Sequence, residues 1–356
     1  MTYFTRAALL STLSAAALLA GCHNDPETPP PSLQEAVQES HPVPTAPINY
    51  IRKTPVPGGL TPERINSSPS LSGTSLRAAR IAPSGEFVTV LQGREDDAAQ
   101  QDLWAYDLAT GEGRLLVSST DLLGAPEVLS EEEKNRRERM RQYGRGIVSY
   151  SWVGDNLLLF PLGGDIYLYD LDTKESRQVT ATNGFETDPK VSSDGSKVAY
   201  VRSNELYVKD LKTGLERQLS TGATDTIRNA TASFVVQEEL DRSTGYWMNG
   251  DASRVAYSQI DEKDIEIENR IDYGADGVTT IAQRYPFAGT ANATVKIGFV
   301  STKGGRTKWV ALDDDEVLGD DIYLTRVAWA DDNRTAFVGF LARDHKTHRI
   351  YKIDSV

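Results

Sequence analysis

Residues 102–116, DLWAYDLATGEGRLL, return as DIYLYDLDTKESRQVT at 165–180 and as ELYVKDLKTGLERQLS at 205–220, with a last echo, RIYKIDS, at 349–355. In the three longer copies a run of alternating apolar residues meets an Asp followed by Thr-Gly or Thr-Lys, and a second run carries an Arg near its middle. The alternation at period two predicts strands, and the Asp with its Thr-Gly predicts the turn between them, so each copy is a hairpin. A matching partner precedes these hairpins in ARIAPSGEFVTVL (79–91), YSWVGDNLLLFPL (150–162) and PKVSSDGSKVAYV (189–201), and recurs in GYWMNGDASRVAYSQ (245–259) and RVAWADDNRTAFVGF (326–340).

Two hairpins in succession make a four-stranded antiparallel unit, and Asp170 and Asp210 recur at about the forty-residue period of a propeller blade. The predicted fold is therefore all-β, a β-propeller of about five blade-like units with a short helical insertion. A row of sandwich domains is the rival, but it gives no reason for one turn chemistry to recur at one place in every unit. The last hairpin runs to the carboxyl terminus without an evident partner strand, so the expected ring is incomplete. Its open strand edges should favour association.

The 356 residues are 39% hydrophobic and 25% charged, enough to bury a substantial core. A formal net charge of -13 argues against nucleic acid or an anionic lipid surface as partner. The amino terminus, MTYFTRAALLSTLSAAALLAGC, has Arg6, an apolar run from Ala7 to Ala20 and small residues before Cys22, the one cysteine. Leu19-Ala20-Gly21-Cys22 is similar to a bacterial lipobox, which makes residues 1–22 a lipoprotein signal; an ordinary cleaved signal is the alternative. Residues 23–47 are rich in proline and polar side chains and read as a tether, with the domain proper from residue 48. The expectation is an exported chain on the periplasmic side of a bacterial envelope, touching the membrane only through lipid on Cys22.

Two segments break the repeat, and departures from a repeat are where function is usually grafted. SEEEKNRRERMRQYGRG (130–146) predicts an exposed helix capped by Ser130 with Glu133 three residues on. The stretch from Phe234 to about Val295 holds FVVQEELDR (234–242), where Glu238 and Glu239 stand side by side, and QRYPFAGTANATV (283–295). Adjacent glutamates on a turn are most simply solvated. If they are not, they need a cation between them.

FVVQEELDRSTGYW followed by QRYPFAGTANATV resembles the amino-terminal propeller of the dipeptidyl peptidase IV group, within the prolyl oligopeptidase family of serine peptidases. The likeness extends over most of the chain from about residue 76. It implies that Glu238 and Glu239 bind the free α-ammonium of a peptide, so that peptide amino termini are the partner. It implies also that an arginine, Arg145 or else Arg141, contacts the substrate carbonyl, and that the parent enzyme is a homodimer. The chemistry agrees, since a primary ammonium offers three donors and one positive charge that two carboxylates can share. Asp241 and Arg242 are expected to form a local ion pair that fixes the glutamate turn.

The family's nucleophile lies in a Gly-x-Ser-x-Gly elbow of a carboxyl-terminal α/β-hydrolase domain, and no such motif occurs here. His23 and His41 fall in the tether, and His345 and His348 in the last hairpin, so no Ser-Asp-His triad is expected in this chain. No metal or cofactor is expected either. Three readings follow: the recognition half of a serine dipeptidyl aminopeptidase cut short before its catalytic domain, a lipid-anchored propeller that binds peptides or proteins without catalysis, or a scaffold.

Overall fold

The Asp-x-x-Thr-Gly hairpins fold as their chemistry dictates. The Asp107 carboxylate accepts from the Ala109 and Thr110 amides at 2.9 and 2.8 Å, and the chain then turns at Gly111 with φ of 73°. Asp210 repeats this with Lys212, Thr213 and Gly214, while at Asp170 the left-handed position is filled by Lys174. These amides hold the Asp107 and Asp210 carboxyls below the ordinary carboxylate range.

In the computed structural model the described residues are 60–67, 71, 73–274, 277–311, 318, 319 and 321–356. The expected signal segment with Cys22, the expected tether and the expected domain start at residue 48 lie outside them. Helix α1 is Pro62–Asn66, α2 is Ser119–Leu123, α3 is Glu131–Arg139 and α4 is Phe234–Glu239.

The five expected units are five antiparallel sheets. The first runs Leu76–Ile81, Phe87–Gly93, Gln100–Asp107 and Gly113–Val117, with Arg145–Gly146 added in parallel to its third strand. The second comprises the strands from Ser151 to Gln178 and the third those from Glu186 to Gln218, four each in sequence order. In the fourth, Ile227–Asn229 and Tyr246–Met248 both pair with Arg254–Asp261, which pairs with Thr294–Ser301 and then Lys308–Trp309. A two-stranded arm, Ile267–Gly274 with Gly277–Arg284, leaves this sheet, and the fifth is Ile322–Trp329, Thr335–Ala342 and His348–Asp354.

Period-two alternation sends successive residues into different cores. In the strand Asp165–Asp170, Ile166 and Leu168 pack toward Val198 and Tyr200 of the third sheet, while Tyr167 and Tyr169 pack toward Leu91 and Leu103 of the first. In the same way Leu206 and Val208 join Tyr246, Val255 and Val300 of the fourth sheet, and Ala256, Ile297 and Phe299 join Leu324, Val338 and Phe340 of the fifth. Four cores thus link five sheets in sequence, face to face, as blades are linked.

Tyrosines at the start of alternate sheets fasten them to bulges in the sheet before. The Tyr150 hydroxyl donates within reach of the Ala78 and Thr89 carbonyls at 2.8 and 2.7 Å, where the first sheet shifts register and Ala78 has φ of 52°. Tyr246 does the same for the third sheet, reaching the Ala199 carbonyl at 2.8 Å and that of Asp188, whose φ is 51° beside the register shift. Both phenols are buried, and burial raises their pKa.

We expect Tyr246→Phe to lower unfolding free energy by about 1–3 kcal/mol, the cost of orphaning buried carbonyls. Chemical denaturation should show a lower midpoint with an unchanged slope.

Candidate functional site

Helix α4 is spliced into the inner strand of the fourth sheet. The chain leaves at Ala230 and returns at Gly245, where Thr231 and Thr244 form a bridge. A Cβ on Gly245 would stand 2.2 Å from the Thr231 nitrogen, so only glycine lets the outgoing and returning backbones pass. Six residues with two adjacent valines are too short and too β-branched to be helical alone. Tertiary packing supplies the rest: Val236 is buried against Ala232 and Tyr323, with Val235, Leu240 and Leu341 around them.

After the helix the chain turns at Asp241, with φ of 48°, and Arg242 swings inward. Its guanidinium donates to the Leu324 carbonyl of the fifth sheet at 2.9 and 3.2 Å and to the Thr244 carbonyl, below the Trp247 ring. The expected Asp241–Arg242 ion pair is therefore replaced by a buried tie to backbone, with Asp241 exposed. Burial, and Arg326 nearby, lower the Arg242 pKa to about 9. The result is a helix held to the fifth sheet at its middle by Val236 and just past its carboxyl end by Arg242.

Glu238 and Glu239 project from the last turn of this helix. Successive helical residues diverge by about 100°, so Glu238 is half-buried while Glu239 is exposed. Glu238 is met by Arg141, whose Nη2 lies 3.4 Å from its Oε2. Arg145 is elsewhere: its strand pairs beside Gln100, and its guanidinium bonds Asp97. Of the two candidate arginines, Arg141 is thus the one brought to the glutamates. Cys22 lies outside the described residues.

Arg141 is delivered by α3, whose Ser130 cap is formed as expected, with its hydroxyl accepting from the Glu133 amide at 3.2 Å. The helix is not simply solvated. Arg137 is buried between Glu127, at 3.0 Å, and Glu133, at 2.8 Å, and Glu127 also accepts from the Gly146 amide at 3.0 Å. The two carboxylates outweigh desolvation and raise the Arg137 pKa. Beyond this anchor, Arg139 lies 4.9 Å from the Phe234 ring centre of α4.

The motif QRYPFAG closes the other side, with the Tyr285 ring edge-on to Phe234 at 5.0 Å and Phe287 against Tyr285 at 4.7 Å. Below these contacts lies a cleft of about 980 Å³ between α3, the 182–188 connection and the arm. Phe234 and Gln237 of α4 line it, with Arg139, Arg228, Asp188 and Thr231. Glu238 stands one turn on from Phe234 along the same side of the helix. Sequence reading missed Arg139 and Phe234 as parts of this site, although the order FVVQEELDR then QRYPFAG was the signal that the two segments meet.

A row of antiparallel sheets of three to five strands linked face to face, with α3 between the first and second and α4 within the fourth, defines a propeller-like fold. Residues 156–355, more than half of the chain, match the family described as dipeptidyl peptidase IV (DPP IV) N-terminal region, and the chain belongs to that family. It is 27% identical over 259 residues to dipeptidyl peptidase 8 of Homo sapiens, covering 63% of this chain and 29% of that protein. It is 28% identical over 153 residues to dipeptidyl peptidase 4 of Felis catus, covering 40% and 20%. Similarity to the inactive dipeptidyl peptidase 10 of Mus musculus is 30% over 146 residues, covering 40% and 18%. The chain thus spans less than a third of the length of these relatives. The crystal structure of Porphyromonas gingivalis dipeptidyl peptidase 4 superposes with a TM-score of 0.56 at 22% identity, over 78% of this chain and 38% of that one, and supports the fold.

The anchors and the exposed arginine should separate in stability measurements. We expect Arg242→Ala to cost about 2 kcal/mol or more, because packing and charge-assisted bonds to two carbonyls go together. Arg141→Ala, at a partly exposed pair, should stay within about 0.5 kcal/mol of the parent. Urea denaturation of both variants checks this.

Proposed function

We propose that this chain is the substrate-recognition and gating propeller of a dipeptidyl aminopeptidase, a serine exopeptidase that releases amino-terminal dipeptides with Pro or Ala second. In this reading the serine nucleophile is supplied by an α/β-hydrolase domain outside these 356 residues. The observation that carries it is the half-buried Glu238 carboxylate at the end of a helix pinned from beneath, with Arg141 on one oxygen and Glu239 beside it. Two carboxylates and one guanidinium leave one negative charge in excess, which one ammonium offsets. An internal peptide bond brings no such cation and would leave the excess negative charge without its partner. That difference sets exopeptidase register.

Arg141, already beside Glu238, takes the substrate carbonyl in this reading, since Arg145 is held by Asp97. Fixing the ammonium also fixes how far along the peptide the scissile bond lies, which is a positioning contribution to catalysis. The proposal includes export and a lipid anchor on Cys22, and pairing of two copies. Ile267, Ile271, Tyr273 and Val278 stand exposed on the arm, a surface suited to a second copy. A second reading, peptide capture without catalysis, is favoured by the likeness to a relative named inactive dipeptidyl peptidase 10, and it uses the same site.

In the complete protein, Glu238→Ala or Glu239→Ala should lower kcat/KM for free-amino dipeptidyl substrates at least about tenfold, equivalent to roughly 1.4 kcal/mol or more. Acetylating the substrate amine should do the same. Equal turnover of blocked and free substrates would reject the role given to the glutamates.

A further inference from the structure

We propose that Arg139 binds an acidic side chain on the first residue of the peptide, making Asp or Glu a favoured amino-terminal residue. The inference rests on the ammonium reading above.

Four arginines line the cleft: Arg136, Arg139, Arg228 and Arg284. Three of them are engaged. Arg136 lies 3.6 Å from Glu133 and 3.7 Å from Asp188, Arg228 lies 3.2 Å from Glu262, and Arg284 donates to the Ile265 carbonyl at 2.8 Å. Among the described residues Arg139 has no carboxylate or carbonyl partner, only the face of Phe234. The carboxylates that act on it through space already hold arginines of their own: Glu262 holds Arg228, Glu238 holds Arg141, and Glu138 holds Arg270 at 2.8 Å. Loss of water, with Arg228 close by, lowers its pKa from the ordinary arginine value. A partly desolvated cation with no carboxylate in direct contact is disfavoured, and an entering anion offsets that.

Position selects the anion. Phe234 and Glu238 are four residues apart on α4, neighbours on one face with Cβ atoms about 5–6 Å apart. An ammonium held at Glu238 therefore places the adjoining Cα within one side-chain length of the guanidinium over Phe234. The Thr231 hydroxyl, buried in the same cleft without a partner, offers a further donor. Glu131, Asp188, Asp225 and Glu262 also line the cleft; Glu131, Asp188 and Glu262 are already offset by Lys134 at 2.6 Å, Lys190 at 3.4 Å and Arg228, and Asp225 is exposed to solvent. An acidic first side chain gains a charge-assisted bond here that its isosteric amide does not.

The test is binding of carboxyl-terminally labelled tetrapeptides to the whole chain, with Glu-Pro, Gln-Pro and Lys-Pro beginnings, each free and acetylated. The expected result is at least fivefold tighter binding of the Glu peptide than of the Gln peptide, with Lys weakest. Arg139→Gln should erase the preference for Glu over Gln, while Arg139→Lys should retain part of it. Circular dichroism of each variant checks folding. If acetylation weakens all peptides but Glu and Gln bind alike, or Arg139→Gln keeps the preference, the inference is overturned and the ammonium reading stands. If acetylation changes nothing, or no peptide binds, both fall.

Discussion

Everything at the site depends on one buried connection: the Arg242 guanidinium bonded to the Leu324 and Thr244 carbonyls, with Val236 packed against Tyr323 beside it. A six-residue helix has no stability of its own. Pinned there, it becomes a rigid bracket between two blades. Arg242 brings a charge into the interior without a carboxylate in contact, and the fold tolerates this because two carbonyls accept its hydrogen bonds. Glycine at 245 is the second half of the same device, since it lets a strand be interrupted and resumed at one point.

The bracket explains how adjacent glutamates can be held near each other without collapse. Glu238 is partly shielded and shares its charge with Arg141, whereas Glu239 remains in water. This places repulsion where a cation can relieve it. It also makes the two helices interdependent: α3, locked by the buried Glu127–Arg137–Glu133 group, carries Arg139 to Phe234 and Arg141 to Glu238. The sheets provide the frame, and the inserted helices provide the chemistry.

Much of the frame was legible because its determinants are local. The Asp and Thr of each turn, with Gly or Lys at the left-handed position, satisfy one another within five residues, and alternation assigns each side chain to a face. The site was legible only as a pair of motifs. Nothing near Arg242 in sequence reveals that its partner is the carbonyl of Leu324, so a neighbouring Asp was the natural but mistaken choice. Arg141 and Arg145 look alike in RQYGRG; Asp97, distant in sequence, is what occupies one and leaves the other to Glu238. The charged run of α3 reads as solvated because its buried partner, Glu127, lies before the helix and outside its periodicity.

The most direct measurement is a crystal structure of the protein with a bound tripeptide carrying Pro at its second position. The account predicts the ammonium nitrogen at about 3 Å from carboxylate oxygens of both Glu238 and Glu239. A peptide whose amino terminus points into solvent, with both carboxylates untouched, would contradict it.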